Sequence, residues 1–155
     1  MIKGWVHKQL DKVEAQYGYN VDYMRLILDT NGSAFFKFAL FQTMSSHAVG
    51  LPTGVYFAAK IRSALVDDCG PCIQLVVNMA LEAGVDEQVV ADIVAGKVDA
   101  LPEEVSLAVR FTDLVMAHNP EADELRDQIA AKWQQDGLIT MGYAIAKSRL
   151  IFSRD

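Results

Sequence analysis

The sequence predicts an all-α fold, a compact bundle of about eight or nine short helices. Apolar residues recur at steps of three and four through most of the chain. Helix start and stop signals separate those stretches, and the sustained period-2 alternation of a strand is absent. With 52% apolar and 22% charged residues in 155, the chain can bury a sizeable core and is not disordered. No internal repeat, low-complexity tract or linker divides it, so residues 1–155 read as one domain.

The first helix carries Ile2, Val6, Leu10, Val13 and Tyr17 on one face, with Gly18 as its stop. A short second helix spans 21–29 and closes at the turn signal Asn31-Gly32. Ser33 is positioned to cap a third, which holds Phe35, Phe36, Phe38, Leu40, Phe41 and Met44. That helix is apolar nearly all round, which places it centrally or at a subunit interface.

Pro52 suits the first turn of a fourth helix, where its missing N–H is no loss. Val55, Ala58, Ala59, Ile61 and Leu65 face inward along it, and it ends at Asp67-Asp68. A fifth opens at Cys69-Gly70-Pro71-Cys72, with Pro71 suited to the first helical position. It carries Ile73, Val76, Val77, Ala80 and Leu81 inward as far as Gly84. Asp86 caps a short sixth that ends near Gly96.

Pro102 with Glu103 and Glu104 starts a seventh, the acids favoured by the N-terminal dipole. Val105, Ala108, Phe111 and Val115 follow before Asn119-Pro120 breaks it. Leu125, Ile129 and Trp133 mark the eighth, stopped by Gly137. In the last, Leu138, Met141, Ile145, Ser148 and Phe152 alternate steps of three and four.

Charge narrows the function classes. The net charge is −6 with no Lys/Arg cluster, which argues against nucleic acid and against an anionic membrane surface as partners. No apolar run reaches the length of a membrane span; the longest, 34–40, is broken by Lys37. The N-terminal residues lack the apolar centre of a signal peptide, so the expected location is the cytoplasm.

In that reducing compartment a Cys-x-x-Cys pair points to redox or metal chemistry, not a structural staple. Structural zinc wants four ligands, yet the chain has only these two cysteines, with histidines scattered at 7, 47 and 118. No metal is expected. No Gly-rich phosphate loop follows a strand, so no cofactor is expected either. The remaining chemistry is that of a dithiol. A thiol attacks as thiolate, and the first turn of a helix lowers its pKa through unsatisfied N–H groups and the aligned dipole. When one cysteine attacks, the other can close the disulfide. Asp67 and Asp68 beside the pair oppose thiolate formation, while Asp68 is also the nearest candidate proton acceptor. The bland alternative is two core cysteines that happen to be neighbours.

Cys-Gly-Pro-Cys is the motif of thioredoxin, but there it follows a parallel strand, and here the preceding segment is helical. The chain better resembles the alkylhydroperoxidase D-like, or carboxymuconolactone decarboxylase-like, superfamily over roughly residues 50–152. The matching features are a helix over 53–67, then Cys69-x-x-Cys72 opening an apolar helix that ends Leu81-Glu82-Ala83-Gly84. Val85-Asp86-Glu87-Gln88-Val89-Val90, Leu101-Pro102-Glu103-Glu104 and Asp136-Gly137-Leu138 follow. The cysteine pair is the most specific of these; the rest is helix order and spacing.

The resemblance implies an all-helical fold assembled as a homo-oligomer, a trimer or hexamer, with the dithiol near a cleft between helices. It implies thiol-dependent peroxidase or disulfide-carrier activity. Cys72 would be the peroxide-facing thiol and Cys69 its resolving partner, with an unidentified thiol reductant restoring the pair. Family members lacking the cysteines include a decarboxylase, so the fold alone does not fix the reaction.

Two positions depart from the family's proton relay. Val76 stands where the peroxidases carry a His one turn after the second cysteine, and Phe57 stands where they carry a Glu. The loss predicts a slow peroxidase, since positioned proton transfer contributes on the order of 100-fold or more. His47, Lys60, Arg62, Gln74 and Asn78 are the polar residues that could approach the sulfurs, but the default for each is a solvated side chain. Three functions follow. They are a dithiol redox protein acting on a peroxide or disulfide, a small-ligand or lyase-type protein whose cysteines only line a cleft, and a protein whose business is oligomerisation.

Overall fold

Local chemistry sets most of the helix ends. The computed structural model describes residues 2–44 and 46–147, and the expected core positions Ser148 and Phe152 lie outside them. Among the described residues are eight α-helices and no strand. They are α1 (Ile2–Tyr17), α2 (Asp22–Thr30), α3 (Gly32–Met44), α4 (Thr53–Val66), α5 (Gly70–Glu82), α6 (Glu87–Ala95), α7 (Glu103–Met116) and α8 (Ala122–Ala146). A single 3₁₀ turn, Val98–Ala100, joins α6 to α7. The all-helical expectation holds.

Asp86 caps α6 as expected, its carboxylate accepting from the Gln88 and Val89 backbone N–H groups at 2.9 and 3.2 Å. Gly96 closes the same helix in the left-handed region at φ 69°. At α3 the cap differs from expectation. Asn31, not Ser33, accepts from the Ala34 backbone N–H at 3.1 Å, because the helix begins one residue before Ser33.

Helix α4 is the axis of the larger core. Every side chain from Val55 to Ile61 is buried, since α5, α6, α7 and α8 all pack against it. With Ile93, Val109, Ile129 and Met141, it forms one apolar cluster. Burying each large side chain contributes about 1.5–3 kcal/mol. A second cluster joins α1, α2 and α3 through Val6, Leu10, Val21, Leu28 and Phe35, and it takes in Cys72 from α5. Polar ties fix this layer: Arg25 binds Asp11, Glu14 and Asp22, and Tyr17 donates to Glu82 at the end of α5 over 2.7 Å.

Two helices differ in detail from expectation. Of the two places expected for α3, the centre is excluded and the subunit interface stays open: Phe35 is its buried residue, whereas Phe36, Leu40 and Met44 form an exposed row at steps of four. An all-round apolar pattern marks a helix that wants burial, but α3 packs chiefly on α2 and so covers one side only. The second is α8, where the expected division into two helices is present as a kink, but at Gln134 (φ 60°, ψ −174°), three residues before the expected stop at Gly137. Gly137 is instead a place of close approach. A Cβ there would collide with the Trp133 side chain and come within 3.1 Å of Leu51 Cδ2 and 3.2 Å of the Gly50 carbonyl. The 49–50 loop crosses α8 at this point, and Thr140 Oγ1 donates to the Val49 carbonyl at 2.7 Å.

Candidate functional site

The turn between α4 and α5 presents the two cysteines. Asp68 takes a left-handed conformation (φ 50°), a region Asp tolerates better than most residues. This reverses the chain so that Cys69 becomes the residue before α5, whose first helical position is Gly70, one earlier than expected. Pro71 follows, and Cys72 occupies the third position. Cys69 and Cys72 are joined as a disulfide with Cα atoms 5.2 Å apart. The sulfurs therefore sit at the positive end of a helix, where a released thiolate is favoured.

The two sulfurs are unequal in access. Cys69 is half-buried at the mouth of the turn, while Cys72 is buried at 2% exposure. Cys72 lies at the seam between the two apolar clusters. On the α1–α2 side, the Tyr19 hydroxyl is 3.9 Å from its Sγ and 3.5 Å from the Tyr23 hydroxyl. Tyr19 is itself buried. Burial, followed by the Tyr19 hydrogen bond, pushes the Tyr23 phenol up from its ordinary value, so Tyr23 stays neutral.

On the other side, a cavity of about 20 Å³ touches Cys72 and is lined by Lys60, Ser63, Ala64, Val76, Ala144 and Lys147. It has room for about one water-sized group. Lys60 is buried at 4% exposure. Its Nζ donates to the Tyr56 hydroxyl at 3.4 Å and lies 5.0 and 5.4 Å from the ring centres of Tyr56 and Phe57. Burial, with a smaller push from the Lys147 charge, brings the Lys60 ammonium down to about 7. Burial also lowers Lys147.

The remaining candidates are placed elsewhere or otherwise engaged. Asp68 is exposed in the turn, and the Oδ2 of its neighbour Asp67 is buried without a hydrogen-bond partner among the described residues. Arg62 forms a two-point pair with Asp113 on α7, both bonds 2.9 Å. His47 is exposed, edge-on to Tyr143 with ring centres 6.1 Å apart. Gln74 donates to Asn78 at 2.8 Å on the outside of α5. Among the described residues, no three His, Cys, Asp or Glu side chains are grouped to hold a metal. No helix there is long and apolar enough to cross a membrane.

Two neighbours of Cys72 escape a sequence reading. Tyr19 lies 53 positions away and carries no local signal. Lys60 was expected in solvent, yet its helix is covered on every side; the available signal was a lone cation in the run Val55–Ile61, otherwise wholly apolar. No protein-family model, curated protein or solved structure matches the chain.

Proposed function

We propose that the chain is a dithiol–disulfide redox protein of the alkylhydroperoxidase D-like type, which reduces a disulfide or peroxide through Cys69 and Cys72. The observation that carries this reading is a closed Cys69–Cys72 bridge at the start of α5, with one sulfur reachable and the other buried. A structural staple gains most by closing a long loop, and this one spans three residues.

The chemistry follows from the unequal access. A thiolate of an external dithiol attacks the Cys69 sulfur, the S–S bond breaks, and Cys72 leaves with the electron pair. The donor's second thiol then attacks the mixed disulfide, releasing Cys69 and an oxidised donor. In the oxidising direction, the Cys72 thiolate attacks a small hydroperoxide and expels an alcohol or water. Cys69 then displaces water from the sulfenic acid to close the bridge. The cavity beside Cys72 favours a small peroxide over a bulky one.

We also assign the exposed row Phe36, Leu40 and Met44 on α3 to contact between copies of the chain, since an apolar patch rarely stays open in solution. Light scattering at high concentration tests it, and a monomer would refute it. The redox function is tested by turnover of a model disulfide and of hydrogen peroxide with a dithiol donor. The wild type is expected to turn over at least one, and the Cys69→Ser and Cys72→Ser variants neither. Equal activity in all three would sink the proposal.

A further inference from the structure

We propose that Tyr23 and Tyr19 form a two-phenol hydrogen-bond chain to the Cys72 sulfur, Tyr23 donating to Tyr19 and Tyr19 to the thiolate that leaves when an external dithiol opens the bridge. This rests on the redox reading above and makes Tyr19, from the connection between α1 and α2, a catalytic residue for the buried sulfur.

Three observations support it. The Tyr19 hydroxyl is 3.9 Å from the Cys72 Sγ, a hydrogen-bonding distance for sulfur, and both residues are buried. With water kept away, a positioned donor stabilises a developing negative charge more than it would at the surface. The half-buried Tyr23 places its own hydroxyl 3.5 Å from that of Tyr19, and the two rings meet edge-on with centres 6.3 Å apart. The connection that carries Tyr19 is itself fixed. Gly18 turns the chain in the left-handed region at φ 61°, Asn20 Oδ1 accepts from the Asp22 backbone N–H at 2.7 Å, and Val21 is fully buried. Tyr17, just before the turn, is tied to Glu82 at the far end of the helix that carries Cys72.

A hydroxyl has one proton and two lone pairs, and the proton rotates to suit its partners. In the disulfide form the Tyr19 hydroxyl can donate to that of Tyr23. When a donor thiolate bonds to the Cys69 sulfur, the S–S bond breaks and the electron pair leaves on Cys72. The Tyr19 O–H then turns to that sulfur, and the Tyr23 O–H turns to the Tyr19 oxygen. No proton is transferred. Both phenols stay neutral, and the thiolate is held by a chain whose two bonds polarise each other. In the reverse sense the same chain keeps Cys72 as the thiolate that attacks.

The test is the pH profile of Cys72 alkylation by iodoacetamide in a Cys69→Ser chain, read by mass spectrometry. The titratable groups facing Cys72 from other elements are Lys60 of α4 and Lys147 after α8, with Asp67 and Asp68 in the preceding turn. All four are kept in every chain compared, so a difference between variants belongs to the phenols. Tyr19→Phe should raise the apparent pKa by about one unit and slow alkylation at pH 7 about tenfold, the size of one hydrogen bond to a charged group. Tyr23→Phe should act in the same direction but only about twofold, because it works through Tyr19. In the Tyr19→Phe background it should have no effect. An unchanged profile in either single variant overturns the proposal, as does a Tyr23→Phe effect that persists without the Tyr19 hydroxyl. A readout with both phenols intact is the NMR resonance of the Tyr19 ring carbon that bears the hydroxyl. It should shift at the pH where the Cys72 thiolate forms, and a resonance that does not move overturns the proposal. Failure of the redox reading looks different: the bridge would resist dithiols while Tyr19→Phe still moved the Cys72 profile in the Cys69→Ser chain.

Discussion

The Tyr19 hydroxyl lies 3.9 Å from the Sγ of Cys72, joining the α1–α2 layer to the first turn of α5 across 53 positions. A buried hydroxyl that can donate to a sulfur favours the thiolate over the thiol. It therefore favours the reduced protein over the disulfide, in the way a stabilised reduced form raises a redox potential.

Replacing Tyr19 with Phe removes that donor and leaves the ring packed in place. A hydrogen bond to a charged group contributes about 1.5–3 kcal/mol, and about 30 mV corresponds to 1.4 kcal/mol for a two-electron couple. The potential of Tyr19→Phe should thus fall by roughly 30–60 mV, measured by equilibration in graded dithiol buffers. A potential equal to wild type would show that Tyr19 is packing alone.

The unequal burial of the sulfurs predicts an order of reactivity. With Cys72→Ser, the remaining Cys69 should react quickly with a bulky maleimide. With Cys69→Ser, Cys72 should react at least about tenfold more slowly with the same reagent, since reactivity needs access as well as thiolate. The difference should narrow with small iodoacetamide. Equal rates with the bulky reagent would contradict the burial of Cys72.

Lys60 also predicts how stability depends on pH. Its ammonium is lowered in the folded protein, to about 7, from 10.5. Between those values the unfolded chain binds the proton and the folded one does not, so this group's contribution to stability rises with pH from about 7 to 10.5. Below 7 the charge is carried in both states, and its burial is fully unfavourable. Lys60→Met should therefore be more stable than wild type at pH 6, by up to roughly 5 kcal/mol, since lowering a pKa from 10.5 to about 7 corresponds to that much at about 1.4 kcal/mol per pH unit. The gap should shrink toward pH 10 in urea titrations of the oxidised proteins. A gap independent of pH would refute the assignment.

Gly137 predicts a packing defect. Ala there would force apart α8 and the 49–50 loop, because its Cβ meets the Trp133 side chain, Leu51 and the Gly50 carbonyl. Overpacking costs about 1–3 kcal/mol, or several degrees of Tm at this size. An unchanged Tm in a thermal melt would show that the crossing is loose.

What the sequence disclosed and what it hid divide along physical lines. Helix ends governed by neighbours a few residues apart were readable: Asp86 and Gly96 bound α6, and Pro102 precedes α7. The cysteine pair was readable for the same reason, since its geometry depends on one turn of helix. Properties set by packing were not. Gly137 carries a stop signal that its close contact with Gly50 explains differently, and the break at Gln134 has no signature in residue type. Composition suggested burial for Phe36 and Leu40, but only contact with other helices could decide it. Lys60 shows the converse: its residue type argued for solvent, and four flanking helices overrode it. Tyr19 reaches Cys72 through tertiary structure alone.

The most direct test of the central proposal is the redox potential of the Cys69–Cys72 couple in the native wild-type chain, read by alkylation and mass spectrometry after equilibration in graded dithiol buffers. A reversible two-electron couple between roughly −200 and −300 mV is expected of a working dithiol exchanger. A bridge that opens only when the protein unfolds, or two thiols that never pair, would contradict it and leave the cysteines as part of the seam between the two cores.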